Sequence, residues 1–161
     1  LDRFMFNIVV GYPDASEEEQ IIRQVTGSRR AKVSKRLDGE TVLRLQDVVR
    51  RVPVADHVVT FAAGLARASR PKEPGAPDFV REMVGWGAGP RAGINLVTAA
   101  KARAVLQGRY HATTGDVKAV ALPVLRHRVI TTFNAEASGV SSDEVVAMLL
   151  DHVEQQQRVE L

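Results

Sequence analysis

The sequence of 161 residues contains no cysteine, few aromatic residues and no hydrophobic run long enough to cross a membrane. Without cysteine, the chain cannot form disulfides, thiolate metal sites or cysteine nucleophiles. No signal-type apolar segment opens the chain, and we expect a cytoplasmic protein. Its histidines lack the spacing of a zinc site, so no metal site is expected; they are His57, His111, His127 and His152.

What the chain does contain is the balance of an ordinary soluble domain, with 45% hydrophobic and 25% charged residues. The length fits one domain or two very small ones, and it suffices to bury a core without disulfides or metal. The net charge of +3 is too small to indicate nucleic-acid binding by itself.

Basic residues are concentrated in the segment 29–36, which we call the basic segment; they are Arg29, Arg30, Lys32, Lys35 and Arg36. Such a run can hold a phosphate backbone, or it can be a solvated connection between elements. Because no aromatic residue is interleaved for base stacking, the pattern favours the connection. Nucleic-acid binding is therefore the less favoured interpretation.

The opening segment Phe4–Val10 is apolar and predicts a short strand, which Gly11-Tyr12-Pro13 would end. A single strand needs partners, so we expect this one to be left over from the sheet of an α/β core. The chain begins with Leu1 instead of methionine, which suggests a truncated piece of a longer protein.

The rest of the chain predicts helices, and the fold class is mainly α, a helical bundle. Ser16 with Glu19 has the spacing of a capping box, as does Ser141 with Glu144. Pro90 is suited to the first position of a helix that Gly108 would end. Further helices are predicted near 41–51, 55–69, 79–84 and 113–125, with Pro123 kinking or interrupting the last, and Val129–Phe133 could be a short strand or an extended tail.

The chain lacks the sequence signatures of a self-sufficient enzyme. It has no phosphate-binding loop, no apolar strand ending in Asp-Glu for magnesium, no serine elbow and no zinc-protease motif. The candidate site is instead Arg91, which follows Pro90 at a predicted helix N-terminus, where backbone N–H groups attract anions. It could bind a phosphate oxygen or be a surface residue in an ion pair; the residues alone leave both open.

Several segments together resemble AAA+ ATPases of the MoxR type. They are Leu1-Asp2-Arg3-Phe4, Gly11-Tyr12-Pro13, Gly89 to Leu96, Ala99 to Tyr110, Thr113 to Val117 and Pro123 to Arg128. The resemblance runs from Leu1 to about Leu150. It implies a fold in which the end of an ATPase core is followed by a helical lid domain.

The resemblance also implies roles for individual residues. Arg3 would be an arginine finger that reaches the γ-phosphate of ATP in a neighbouring subunit. Arg91 would be the second-sensor arginine, which contacts the nucleotide from the lid, and Pro90 would lie with it in the nucleotide-binding segment. Tyr12 and Pro13 would bracket the adenine.

At the level of the whole protein, the resemblance implies ATP and Mg²⁺ as cofactors of the full-length enzyme, with none required by this piece, which should be inactive alone. Its partners would be its own ATPase core, neighbouring subunits of a ring, most commonly a hexamer, and von Willebrand factor A domain proteins. The function would be chaperone-like remodelling or maturation of partner proteins.

The resemblance divides the chain into a core remnant (1–13), connecting helices with the basic segment (14–53), a lid (54–155) and a tail (156–161). Gly89 and Gly93 depart from the family pattern, and glycine in a first helical turn loosens it by up to about 1 kcal/mol. The alternative function is a stand-alone helical module that binds nucleic acid or protein through the basic segment.

Overall fold

The structure is a computed structural model that describes residues 1–28 and 32–159, with the backbone alone for 157–159. Helices dominate these residues and two short strands accompany them. In chain order the elements are α1 (Ala15–Thr26), α2 (Gly39–Arg51), α3 (Asp56–Ala68), α4 (Asp78–Met83), β1 (Val84–Trp86), α5 (Pro90–Leu106), α6 (Thr114–Leu125), β2 (Ile130–Thr131), α7 (Phe133–Ala137) and α8 (Ser142–Val159). The mainly α fold class is therefore confirmed.

The chain divides into two compact units. The first, which we call the helical unit, comprises Leu1–Asn7 and the chain from Asp47 onward. The second comprises Ile8–Gln46 and contains α1 and most of α2. Neither α1 nor α2 buries a residue, although both have an apolar stripe. Each helix has a local capping bond at its start: the N–H of Glu17 donates to Asp14, and that of Thr41 donates to Asp38.

The core of the helical unit lies between α3, α5, α6 and α8. Its largest fully buried side chains include Phe61, Leu65, Leu96, Leu125 and Leu149. Alanines fill the facing positions of α3 and α5, where small side chains let helix backbones approach closely; they are Ala62, Ala66, Ala92, Ala99 and Ala100. Since dense packing fixes α5, its N-terminus has a defined position on the unit.

The strand predicted for Phe4–Val10 is not formed, and residues 6–14 are irregular. Strand residues need a ladder of partners. Here the carbonyls of Phe4 and Met5 instead accept hydrogen bonds from the side chain of Arg128, and the N–H of Asn7 donates to the carbonyl of Pro123 at 2.8 Å. The two strands of the described residues lie elsewhere: β1 pairs with β2 in antiparallel orientation.

The capping box predicted at Ser16 and Glu19 forms instead between Asp14 and Glu17. Aspartate is as good an N-cap as serine, and this pair has the same three-residue spacing. Asp14 accepts from the N–H of Glu17 at 2.9 Å, and Ser16 Oγ donates to Asp14 at 2.7 Å. The other predicted capping box, at Ser141 and Glu144, is confirmed by hydrogen bonds in both directions.

Two predictions from proline and glycine hold with small shifts. Helix α5 begins at Pro90, and Gly108 follows its end with a φ of 70°. Helix α6 continues past Pro123 to Leu125, so the proline lies in the last turn instead of interrupting the helix earlier.

Candidate functional site

The candidate site lies at the N-terminus of α5. Gly89 is the N-cap in an extended conformation and makes no side-chain cap, while Pro90 occupies the first helical position. The first turn contains no acidic residue. The helix dipole and the N–H groups of the first turn therefore favour an anion at this end.

Arg91 lies in this first turn with 65% of its side chain exposed. Its Nη1 contacts a carboxylate oxygen of Asp2 at 3.3 Å. Exposed pairs of this kind contribute about 1 kcal/mol or less. The contact therefore holds Arg91 near the N-terminal segment without burying it, and the guanidinium remains accessible to another anion.

The segment Leu1–Asn7 lies against the chain just after α6. The buried guanidinium of Arg128 donates to the carboxylate of Asp2 at 3.1 Å and to its carbonyl at 2.7 Å. Arg3 itself is exposed, and its guanidinium lies 5.2 Å from the centroid of the Phe4 ring. The structure thus brings the segment of Arg3 and the side chain of Arg91 to a single residue, Asp2.

The other predicted site residues lie in the second unit or outside the described residues. Tyr12 and Pro13 are exposed and belong to Ile8–Gln46. Residues 29–31 of the basic segment lie outside the described residues. Its remaining cations, at Lys32, Lys35 and Arg36, are exposed in an irregular stretch.

Two depressions flank the start of α5. A groove of about 620 Å³ lies between α3 and α5, with Gly93 and Ile94 on one side and Ala63 and Arg67 on the other. A second, of about 340 Å³, is lined by the segment 85–90 together with Arg70, Pro71 and Lys72. Arg70 is fixed there, because its Nε donates to the carbonyl of Ala88 at 2.9 Å and its Nη1 contacts Glu73 at 2.9 Å. Mostly apolar walls with a few polar groups at the edge are the usual lining of a small-molecule site.

A buried carboxylate holds together the far end of α5 and the start of α6. Asp116 is fully buried and accepts from Arg103 and Arg109, each at 2.7 Å, and from both the N–H and the hydroxyl of Thr113 at 2.9 Å. Arg109 Nη2 also donates to it. The Arg109 guanidinium holds the pKa of Asp116 well below its usual range. This cluster is structural, since its oxygens are occupied.

His127 is the second titratable group shaped by its surroundings. Burial lowers the pKa of His127, and the charge of Arg128 acts in the same direction. Its Nε2 lies 3.1 Å from the carbonyl of Phe4, so the neutral ring donates from Nε2. Nδ1 is buried without a hydrogen-bond partner in the part of the chain that the structure describes. Protonation would place a buried N–H there with nothing to accept it.

Sequence reasoning missed Asp2 and gave no role to Arg126, His127 or Arg128. The available signal was the run Arg126-His127-Arg128 at the end of a predicted helix, where basic side chains can donate to the free carbonyls. Arg126 is held by both oxygens of Asp143, at 3.0 and 2.8 Å. The contacts of this run with residues 2–7 span more than 115 positions, so no local pattern indicates them.

Neither a metal centre nor a membrane span emerges from the described residues. Across residues 1–28 and 32–159, no three His, Asp or Glu side chains are grouped so as to hold a metal ion. In the same ranges, no helix is both long and apolar enough to cross a bilayer.

Comparison with known proteins finds one matching domain family and proteins that are similar over most of the chain. Residues 78–149 match the AAA lid domain family. Chaperone MoxR1 of Mycobacterium tuberculosis is 34% identical over 94% of this chain, and YeaC of Bacillus subtilis, an uncharacterised protein, is 26% identical over 95%. A crystal structure of a proposed ATPase from Cytophaga hutchinsonii superposes with a TM-score of 0.82 at 31% identity over 93% of the chain. The chain spans 40%, 45% and 46% of these three proteins respectively.

Proposed function

We propose that this chain, whose residues 78–149 match the AAA lid domain family, is the lid-bearing part of a MoxR-type ATPase that hydrolyses Mg-ATP in a ring. In this proposal the lid moves against the ATPase core and so remodels or matures a partner protein, as a chaperone does. Von Willebrand factor A domain proteins are the candidate partners, and a hexamer is the candidate ring.

One observation carries the proposal at the level of residues. Asp2, the residue directly before the exposed Arg3, contacts the exposed Arg91 at 3.3 Å, so the chain segment of Arg3 and the side chain of Arg91 lie next to each other. Phosphoryl transfer builds negative charge on the γ-phosphate, and fixed guanidinium groups offset it. Arg3 would supply this charge to the nucleotide of a neighbouring subunit.

Arg91 fits a second role: from its place on the lid, it would contact the phosphate oxygens of the nucleotide. Its place in the first turn of α5 adds the helix dipole and open N–H groups to its own charge. Pro90 fixes the start of this turn, and we propose that Tyr12 and Pro13 contact the adenine. Since the chain has no phosphate loop and no acidic cluster for magnesium among its described residues, other parts of the protein would hold Mg²⁺.

The test compares Arg3→Ala and Arg91→Ala in the full-length ATPase. Loss of an arginine finger lowers hydrolysis by about 10³- to 10⁵-fold in related systems, so Arg3→Ala should lower kcat strongly while leaving KM for ATP nearly unchanged. Arg91→Ala should both raise KM and lower kcat, because it removes a contact made with bound nucleotide and with the transition state.

Arg81→Ala is the matched control, because Arg81 is also an exposed, singly paired arginine of the lid domain. It should leave hydrolysis unchanged. Wild-type rates in Arg3→Ala and Arg91→Ala would refute the proposal. If charge reversal at Lys32, Lys35 and Arg36 then abolished partner binding, the stand-alone binding module would replace it.

A further inference from the structure

Arg128 is a buried arginine whose guanidinium is hydrogen bonded through all three of its nitrogens. Its side chain is 1% exposed, and all five of its N–H donors have acceptors. Nε donates to the carboxylate of Asp2; Nη2 donates to the carbonyls of Asp2 and Phe4 at 2.7 and 2.5 Å; Nη1 donates to the carbonyl of Met5 at 3.2 Å and to that of Val124.

These acceptors lie on both sides of Arg3. The carbonyls of residues 2, 4 and 5 bracket it in the chain, so one buried guanidinium fixes the backbone before and after the residue. The neighbours of Arg128 add two contacts: His127 Nε2 donates to the carbonyl of Phe4 at 3.1 Å, and Arg126 Nη1 donates to that of Asn7 at 3.4 Å. The backbone of Arg3 is held while its side chain stays exposed.

Asp2 connects this arrangement to α5. One of its carboxylate oxygens accepts from Arg128 Nε at 3.1 Å, and the other contacts Arg91 Nη1 at 3.3 Å. The first of these partners is buried, whereas the second is mostly exposed. The carboxylate is therefore fixed by Arg128, and it in turn orients Arg91.

We propose that Asp2 and Arg128 are positioning residues for Arg3 and Arg91. Arg128 fixes the backbone that carries Arg3, and Asp2 sets the direction of Arg91. These contacts attach the segment that carries Arg3 to the helical unit. This inference rests on the proposed function, in which Arg3 and Arg91 contact the nucleotide.

Arg128 also donates to the carbonyl of Val124 in the last turn of α6, and a purely structural role would account for that contact. The two roles differ in what they predict for a double-mutant cycle. Substituting a positioning residue no longer changes kcat once the residue that it positions has been replaced. A structural residue has the same effect in either background.

The experiment measures kcat and KM for ATP in the full-length protein for Asp2→Asn, Arg91→Ala and the double variant. Asp2→Asn is nearly isosteric and keeps the carbonyl contacts of Arg128, so it should fold. Because misplacement by about 1 Å costs about 100-fold in rate, we expect Asp2→Asn to lower kcat by about 10- to 100-fold and to raise KM no more than Arg91→Ala does. In the Arg91→Ala background, the same change should lower kcat by less than about 3-fold.

Asp78→Asn is the matched control, since it removes the carboxylate of another exposed ion pair, with Arg81 at 3.4 Å. It should leave kcat unchanged. An unchanged kcat in Asp2→Asn, or an equal loss in both backgrounds, would overturn the inference while leaving the proposed function intact. An unchanged kcat and KM in Arg91→Ala would overturn both.

A second measurement does not depend on catalysis. The N–H of Asn7 donates to the carbonyl of Pro123 at 2.8 Å, and its hydrogen exchange in the full-length protein reports whether the finger segment is attached to the lid. We expect protection in the wild type and faster exchange in Arg128→Lys, which keeps the charge but lacks the planar five-donor group. Exchange at the rate of a free peptide in the wild type would overturn the inference.

Discussion

Replacing Asp116 by asparagine tests the account of the structural cluster between α5 and α6. The carboxylate is fully buried and accepts hydrogen bonds from Arg103, Arg109 and Thr113. Asparagine has nearly the same volume but only one acceptor oxygen. Its amide nitrogen would face N–H donors, and both guanidinium groups would lose their counter-charge.

The expected loss follows from burial. Removing one partner of a buried charge pair costs about 3–5 kcal/mol, because the other charge is left uncompensated. The guanidinium groups of Arg103 and Arg109 keep about a third of their side-chain surface exposed, so water compensates part of that loss. We therefore expect about 3 kcal/mol, the lower end of the range. For a chain of this size, that corresponds to a fall in Tm of about 6–12 °C.

The assay is thermal unfolding followed by circular dichroism. Asp143→Asn is the matched control, because Asp143 also holds an arginine with both oxygens but is 43% exposed. It should cost about 1 kcal/mol or less. If Asp116→Asn melted within 1 °C of the wild type, or no lower than Asp143→Asn, the role assigned to burial would be wrong.

Two further predictions concern single side chains of the helical unit. Because burial lowers the pKa of His127 below the usual value of 6.5, the unfolded chain binds more protons, and the free energy of unfolding should fall as the pH drops below about 6.5. The free energy of unfolding should change by a fraction of the about 1.4 kcal/mol per pH unit that one whole proton gives. Denaturant titrations at pH 5.5 and 7.5 should show a smaller change in His127→Gln; an equal change in the variant and the wild type would contradict the assignment. Gly93→Ala should raise the free energy of unfolding by about 0.5–1 kcal/mol, because alanine favours a helix more than glycine does. The added Cβ would lie 4.0 Å from Ala62 and Ala63, an ordinary contact; a lower free energy of unfolding in the same titrations would mean that the contact of α5 with α3 needs glycine.

Local signals in the sequence predicted the helices well. Pro90, Gly108 and the Ser141–Glu144 pair mark helix ends through their own backbone and side-chain preferences, which act without the rest of the fold. The same logic failed by two residues at α1, since Asp14 and Ser16 are both good N-caps and only the structure decides between them.

What the sequence could not predict depends on distant partners. The strand expected at Phe4–Val10 requires a neighbour. Val84–Trp86, for which the sequence predicted no strand, becomes β1 only through pairing with β2. Asp2 carries no local pattern at all: its role arises from contacts with Arg91 and Arg128, which lie 89 and 126 positions away.

The separation of these contacts has a consequence for synthesis of the protein. Asp2 leaves the ribosome 126 residues before Arg128, the side chain that fixes it. At about 5–20 residues per second, this delay lasts roughly 6–25 seconds. During that time the N–H of Asn7 lacks its partner, the carbonyl of Pro123, and Met5 lacks the core against which it packs. The segment Leu1–Asn7, although made early, thus becomes ordered only after α6 has been made, and a nascent-chain chaperone has a defined interval in which to bind it.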